Sequence, residues 1–120
     1  MKTKLWTAGL LILTLMACDD IIEVEDISEE SVNLLAPVDE AVLNITDPIF
    51  SWQPVADAET YHLQIAQPSF EAALQIVADT TLEGTRYNTS LEINTYEWRV
   101  RAENSGYQTD YTTQSFSVEE

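Results

Sequence analysis

The chain holds one imidazole, His62, and one thiol, Cys18. A general base needs a reacting group or an orienting partner within hydrogen-bond reach, and a zinc site needs further nitrogen, sulfur or carboxylate ligands. Near His62 the sequence offers only Glu59 and Gln64, so the ring is expected on the outward side of a strand as a surface residue. No serine sits in a nucleophile-elbow pattern. The 21 carboxylates supply hard oxygen ligands, but no regularly spaced Asp loop with a turn-forming glycine appears, and Asp57 with Glu59 would hold calcium only weakly. Paired carboxylates hydrolyse glycosides from opposite sides of a bound sugar, and a domain this small has little room for the cleft they need. No catalytic residue, metal or cofactor is expected.

Cys18 has the more informative surroundings. Lys2 and Lys4 open the chain, Leu5 to Met16 is mostly apolar, and small Ala17 stands just before the cysteine. This is the layout of a secretory signal peptide. The apolar run falls short of the roughly 20 residues a membrane-spanning helix requires, and Asp19-Asp20 ends it abruptly. A lone cysteine cannot close an internal disulfide. Leu15-Met16-Ala17-Cys18 resembles the lipobox of bacterial lipoproteins, although Met16 departs from the small or branched residue usual there. The resemblance implies cleavage after Ala17, lipidation of Cys18, and membrane attachment through that lipid. An ordinary secretory signal followed by a chance cysteine and an uncleaved cytosolic N-terminus are the alternatives.

Cleavage would remove two lysines and no carboxylate, so a chain of net charge −16 becomes more negative by two. Arg86, Arg99 and Arg101 would be its only cations besides His62. Such a surface repels nucleic acid, whose binding rests on phosphate neutralisation. It also repels anionic headgroups, leaving lipid as the means of attachment. Asp19, Asp20, Glu23, Glu25, Asp26, Glu29 and Glu30 crowd the segment up to Ser31. Residues 18–31 are therefore expected to form a solvated tether, with an extended reach of roughly 45 Å. Ile21, Ile22, Val24 and Ile27 allow part of it to pair as an edge strand instead.

From residue 32 onward the pattern is short strands and turns. Strands are expected at Val32–Leu35, Ala41–Thr46, Ile49–Gln53, Tyr61–Ala66, Ala72–Ala78, Thr85–Ser90, Tyr96–Ala102 and Tyr111–Val118. Two alternate cleanly. Tyr61, Leu63 and Ile65 oppose His62, Gln64 and Ala66; Tyr96, Trp98, Val100 and Ala102 oppose Glu97, Arg99, Arg101 and Glu103. Period-two alternation marks strands with one buried face. Seven to eight antiparallel strands predict an all-β, immunoglobulin-like sandwich around one core.

The run PIFSWQPVADAETYHLQIA (Pro48–Ala66), the stretch Tyr96 to Ala102 with Asn104, and the closing Ser115, Phe116 and Val118 resemble a bacterial fibronectin type III-like domain over residues 32–118. The resemblance implies that Trp52 and Trp98 fill the core and that Leu91 with Tyr96 form a tyrosine corner. It also implies that the loop Pro54–Glu59 and the turn at Asn104-Ser105-Gly106 share one end of the sandwich. Tyr107, Tyr111 and Asp57 are then candidate ligand contacts for a glycan or an envelope protein; alternatively, Tyr107 simply covers the sandwich end. Arg99 and Arg101, outward beside Glu97 and Glu103, are expected to be cross-strand charge partners, the alternative being a ligand clamp. Asp79-Thr80-Thr81 resembles a bacterial O-glycosylation sequon, whereas Asn44-Ile45-Thr46 and Asn88-Thr89-Ser90 fit the N-glycosylation pattern only by coincidence.

The expected function is a lipid-anchored, non-catalytic binding or spacer module at the bacterial outer membrane or cell surface. The acidic run with the sandwich resembles surface lipoproteins that accompany glycan-uptake systems. In another sorting scheme Asp19 implies inner-membrane retention. The alternative function is a structural accessory subunit of an outer-membrane complex.

Overall fold

The computed structural model describes residues 23–120. The expected signal peptide, residues 1–17, and Cys18 lie outside the described residues. Eight strands follow in order: β1 Leu34–Ala36, β2 Ala41–Leu43, β3 Ile49–Trp52, β4 Thr60–Gln67, β5 Gln75–Leu82, β6 Arg86–Asn88, β7 Asn94–Glu103 and β8 Thr112–Val118. They form a three-stranded sheet, β1-β3-β6, and a five-stranded sheet, β2-β8-β7-β4-β5.

The expected alternation of the two clearest strands holds. Tyr61, Leu63 and Ile65 of β4 and Tyr96, Trp98, Val100 and Ala102 of β7 are all buried. Their register sets Leu63 opposite Val100 and Ile65 opposite Trp98. Phe50 and Trp52 reach them from the small sheet. The Phe50 ring lies 5.0 Å from Trp98 and 5.5 Å from Phe116, in edge-on arrangements. Trp52 meets Tyr61 at 5.8 Å. Each such pair adds about 0.5–1.5 kcal/mol beyond the area it buries. Below this core, Tyr96 Oη donates to the Glu92 carbonyl at 2.6 Å while Leu91 is buried beside it. This is the tyrosine corner that the sequence resemblance implies.

One pairing is not antiparallel. Between β1 and β2 the chain leaves the small sheet for the large one, and β2 lies parallel to β8 with Ala41 opposite Phe116. Asp39 pins the crossing by accepting from Ser115 N at 2.9 Å, and Glu40 N donates to Ser115 O at 2.6 Å. The chain changes sheets here without a hairpin reversal and meets β8 running in the same direction.

The fifth strand also lies further along than Ala72–Ala78. Leu74 N donates to Gln67 O, closing the reversal there, and leaves Ala72 and Ala73 exposed ahead of the strand. The strand thus contains Asp79-Thr80-Thr81, at the edge of the large sheet.

The acidic segment is shorter as a tether than its composition suggests. Ile27 is 2% exposed and belongs to the core with Val32 and Leu34. Asp26 Oδ1 accepts from Ser28 N at 2.9 Å and Ser28 Oγ at 2.6 Å, and Glu30 N donates to Ile27 O. This side-chain-built turn supplies the reversal in the absence of Gly or Pro, and it directs Ile27 inward while its acidic neighbours stay in water.

Candidate functional site on the outer face of the large sheet

The outward residues of β4 and β7 do not simply face water. His62 and Gln64 stand opposite Arg101 and Arg99. Tyr111, just before β8, lays its ring against both arginines, with the guanidinium carbons 4.3 Å (Arg99) and 4.8 Å (Arg101) from the ring centre. Phe70 comes from the β4–β5 loop, and Arg99 lies over its ring at 4.0 Å. That loop is held down because Phe70 N donates to Glu97 Oε1 at 2.9 Å. It covers the sheet beside Glu97, which explains why Ala66, Glu97's register partner, is fully buried although it points outward. Cation–π contacts of this kind contribute about 0.5–1 kcal/mol when exposed and more when desolvated.

His62 is the hub of a second chain of contacts. Asp79 Oδ1 accepts from Nε2 at 2.5 Å, and the Tyr111 hydroxyl lies 2.9 Å from Nδ1. A carboxylate can only accept, so Nε2 carries a proton, and in the neutral ring Nδ1 accepts from the phenol. The His62 hydrogen bond holds the Asp79 carboxyl below the usual carboxylate range, against an opposing contribution from desolvation. Burial pushes the Tyr111 phenol up, although Arg101 and Arg99 pull the other way. Asp79–His62–Tyr111 thus has the order of an orienter, a base and a nucleophile. A phenol activated as a nucleophile has a lowered pKa, whereas burial raises that of Tyr111. The arrangement holds two rings, two cations and an imidazole in place against each other.

The arginines are engaged differently from the expectation. Arg101 Nε pairs with Glu103 Oε2 at 2.7 Å, but two residues along its own strand and not across to a neighbour. Arg99 Nε donates to Gln64 Oε1 at 2.8 Å, while Glu97 is occupied by the Phe70 backbone.

The three expected contact residues separate. Tyr111 joins the sheet-face cluster. Tyr107 and Asp57 lie at the loop end, both exposed, gathered there by Asn104. Asn104 Nδ2 donates to the carbonyls of Asp57 (3.2 Å) and Glu25 (2.9 Å), and its Oδ1 accepts from the backbone of Gly106 and Tyr107. Asp57 itself has φ 69°, a left-handed conformation that Asp tolerates better than most side chains. Reading sequence neighbours alone missed His62, Asp79 and Phe70 as members of the cluster. Once β5 is registered against β4, with Gln64 opposite Asp79 and His62 opposite Thr81, alternation places Asp79 on the same face as His62.

Two surface depressions lie elsewhere on the described residues. One of about 380 Å³ lies over Ile49, Arg86, Tyr87 and Asn88, and another of about 260 Å³ lies beside Glu40, Pro68, Tyr96 and Phe116. Both open widely to solvent.

No protein-family model and no curated protein matches the sequence. Solved structures do. The fibronectin type III domain of the human collagen alpha-1(XX) chain superposes with a TM-score of 0.57 at 15% identity, covering 78% of this chain and 90% of that one. The crystal structure of FN3tt gives 0.53 at 16% identity, with 73% and 95% covered. A fibronectin type III domain derived from human KIAA0970 protein gives 0.52 at 15% identity, with 72% of each chain covered. The fold is that of a fibronectin type III domain. At these identities the likeness carries the architecture and not the ligand.

Proposed function

We propose that this protein is a lipid-anchored, non-enzymatic binding or spacer module of a bacterial envelope, attached through Cys18 and displaying the sandwich outside the cytosol. The observation that carries this reading is the placement of the only cysteine. It follows a Lys-led apolar stretch and Ala17, and a folded domain begins within a few residues of it. A single acyl chain gives only marginal membrane binding, so durable attachment takes several. The Tyr111, Phe70, Arg99 and His62 cluster is the surface best suited to meet a glycan or a protein partner, since it combines aromatic faces with fixed polar groups. Labelled palmitate should enter the wild type and not Cys18→Ser; equal labelling of both contradicts the anchor. Titration with glycans should move the NMR signals of Tyr111 and His62 before those of Ile93, at the far end of β7.

A second reading, an accessory subunit of an outer-membrane complex, is favoured by one feature. β5 is an eight-residue strand at the edge of the large sheet, with Leu74 83% and Ile76 46% exposed. A long edge with unpaired backbone groups accepts a partner's strand. Gentle crosslinking should then recover one envelope protein with the wild type and lose it with Ile76→Lys.

A further inference from the structure

The structure places the first described residues at one specific end of the sandwich. Val24 sits against the β7–β8 loop, where a methyl group added to Gly106 would lie 3.5 Å from Val24 Cγ1. The next residue, Glu25, is held by Asn104, which also holds Asp57 and Tyr107. Ile27 then enters the core. The opposite end carries Leu91, Ile93 and the turn after β2, where Leu91 N donates to Thr46 O. β7 runs between the two ends, from Asn94 to Glu103, and at about 3.3 Å per residue it separates them by roughly 30 Å.

We infer that the loop end bearing Tyr107, Asp57 and Asn104 faces the bilayer headgroups, with the end bearing Ile45 and Ile93 held away from them. This rests on the proposed lipidation of Cys18. From Cys18 to Val24 the chain has six residue steps and cannot exceed about 20 Å even when fully extended. That is less than the length of the sandwich, so an anchored domain cannot turn its far end to the membrane without releasing Val24, Glu25 and Ile27. Glu25, Asp26, Asp57, Glu59 and Glu103 line the near end. Their charge keeps it from lying flat on anionic lipid, while the short leash keeps it close. The orientation gives Tyr107 a lipid-facing position and leaves the Tyr111 cluster on the flank, open to a partner. It also separates the three expected contact residues by environment as well as by distance.

Lipidation of Cys18 would leave any introduced cysteine as the only free thiol. Single variants Ser105→Cys and Tyr107→Cys mark the near end; Ile45→Cys and Ile93→Cys mark the far end. All four positions are exposed. The lipidated full chain, fluorescently labelled and reconstituted into phosphatidylcholine–phosphatidylglycerol vesicles with nitroxide headgroups, should be quenched several-fold more at 105 and 107 than at 45 and 93. Vesicle-bound protein with equal quenching at both ends, or the reverse order, overturns the orientation but leaves the anchor standing. Protein that does not float with vesicles, and whose Cys18 takes up dye, overturns both.

Discussion

Replacing Ile27 by Ala tests whether the acidic N-terminal segment is part of the domain or a tether. Ile27 is 2% exposed and packs with Val32 and Leu34 in the main core, and the turn from Asp26 to Glu30 fixes its direction. Removing its outer carbons forfeits transfer free energy and leaves a void that a β-sandwich closes poorly. Ile→Ala changes of this kind cost about 2–5 kcal/mol. A central value of about 3 kcal/mol lowers Tm by about 12–24 °C in a domain of this size, and with a urea m-value of about 1–3 kcal/mol/M it moves the midpoint by roughly 1–3 M. Urea unfolding of the full chain carrying Cys18→Ser, followed by the fluorescence of buried Trp52 and Trp98, measures it. Leu74→Ala, at a residue 83% exposed, is the control and should stay within about 0.5 kcal/mol of the parent. If Ile27→Ala unfolds at the same urea concentration as Leu74→Ala, the segment is a free tether and the orientation argument loses its fixed point.

Three further outcomes follow from the same contacts. Asn104→Ala removes a clip on two carbonyls and two backbone N–H groups; it should cost about 1–2 kcal/mol and raise hydrogen exchange in residues 23–28 before the sheets are affected. Tyr96→Phe breaks the corner bond to Glu92 and should cost about 1 kcal/mol at neutral pH. Burial raises the Tyr96 pKa, so the stability held by the neutral phenol is complete below about pH 10 and is lost as pH rises through the folded value; Tyr96→Phe should show a shallower alkaline decline in unfolding midpoint. The Asp79 pKa is lowered by His62, so its contribution is present above about pH 4 and fades as pH falls through the lower folded value. Asp79→Asn should therefore be slightly less stable than wild type at pH 7 and converge with it in acid, in paired urea titrations.

How much was legible in the sequence depended on the range of the interaction. The strands β4 and β7 follow from local alternation, and their expected positions match the fold; the Leu91–Tyr96 corner, implied by the family resemblance, closes within four residues through the Tyr96–Glu92 bond. The docking of Ile27 was hidden because composition reads seven carboxylates as solvent-seeking, whereas one of them, Asp26, builds a turn. Its signal is the Asp26–Ser28 spacing, which forms an Asx turn. β5 was misplaced because Ala72-Ala73-Leu74 is apolar, yet its register is set by pairing with β4. The sheet-face cluster joins His62 to Asp79 and Tyr111, 17 and 49 residues away. No periodic pattern within a single strand encodes such contacts; only the cross-strand register does.

Lipid on the one cysteine, near the loop end, is the proposed tether of this sandwich. Intact mass spectrometry of native protein extracted from the membrane fraction tests it most directly. The expected species begins at Cys18 and carries acyl mass on that residue. A species that retains Met1 and has an unmodified thiol would contradict the account.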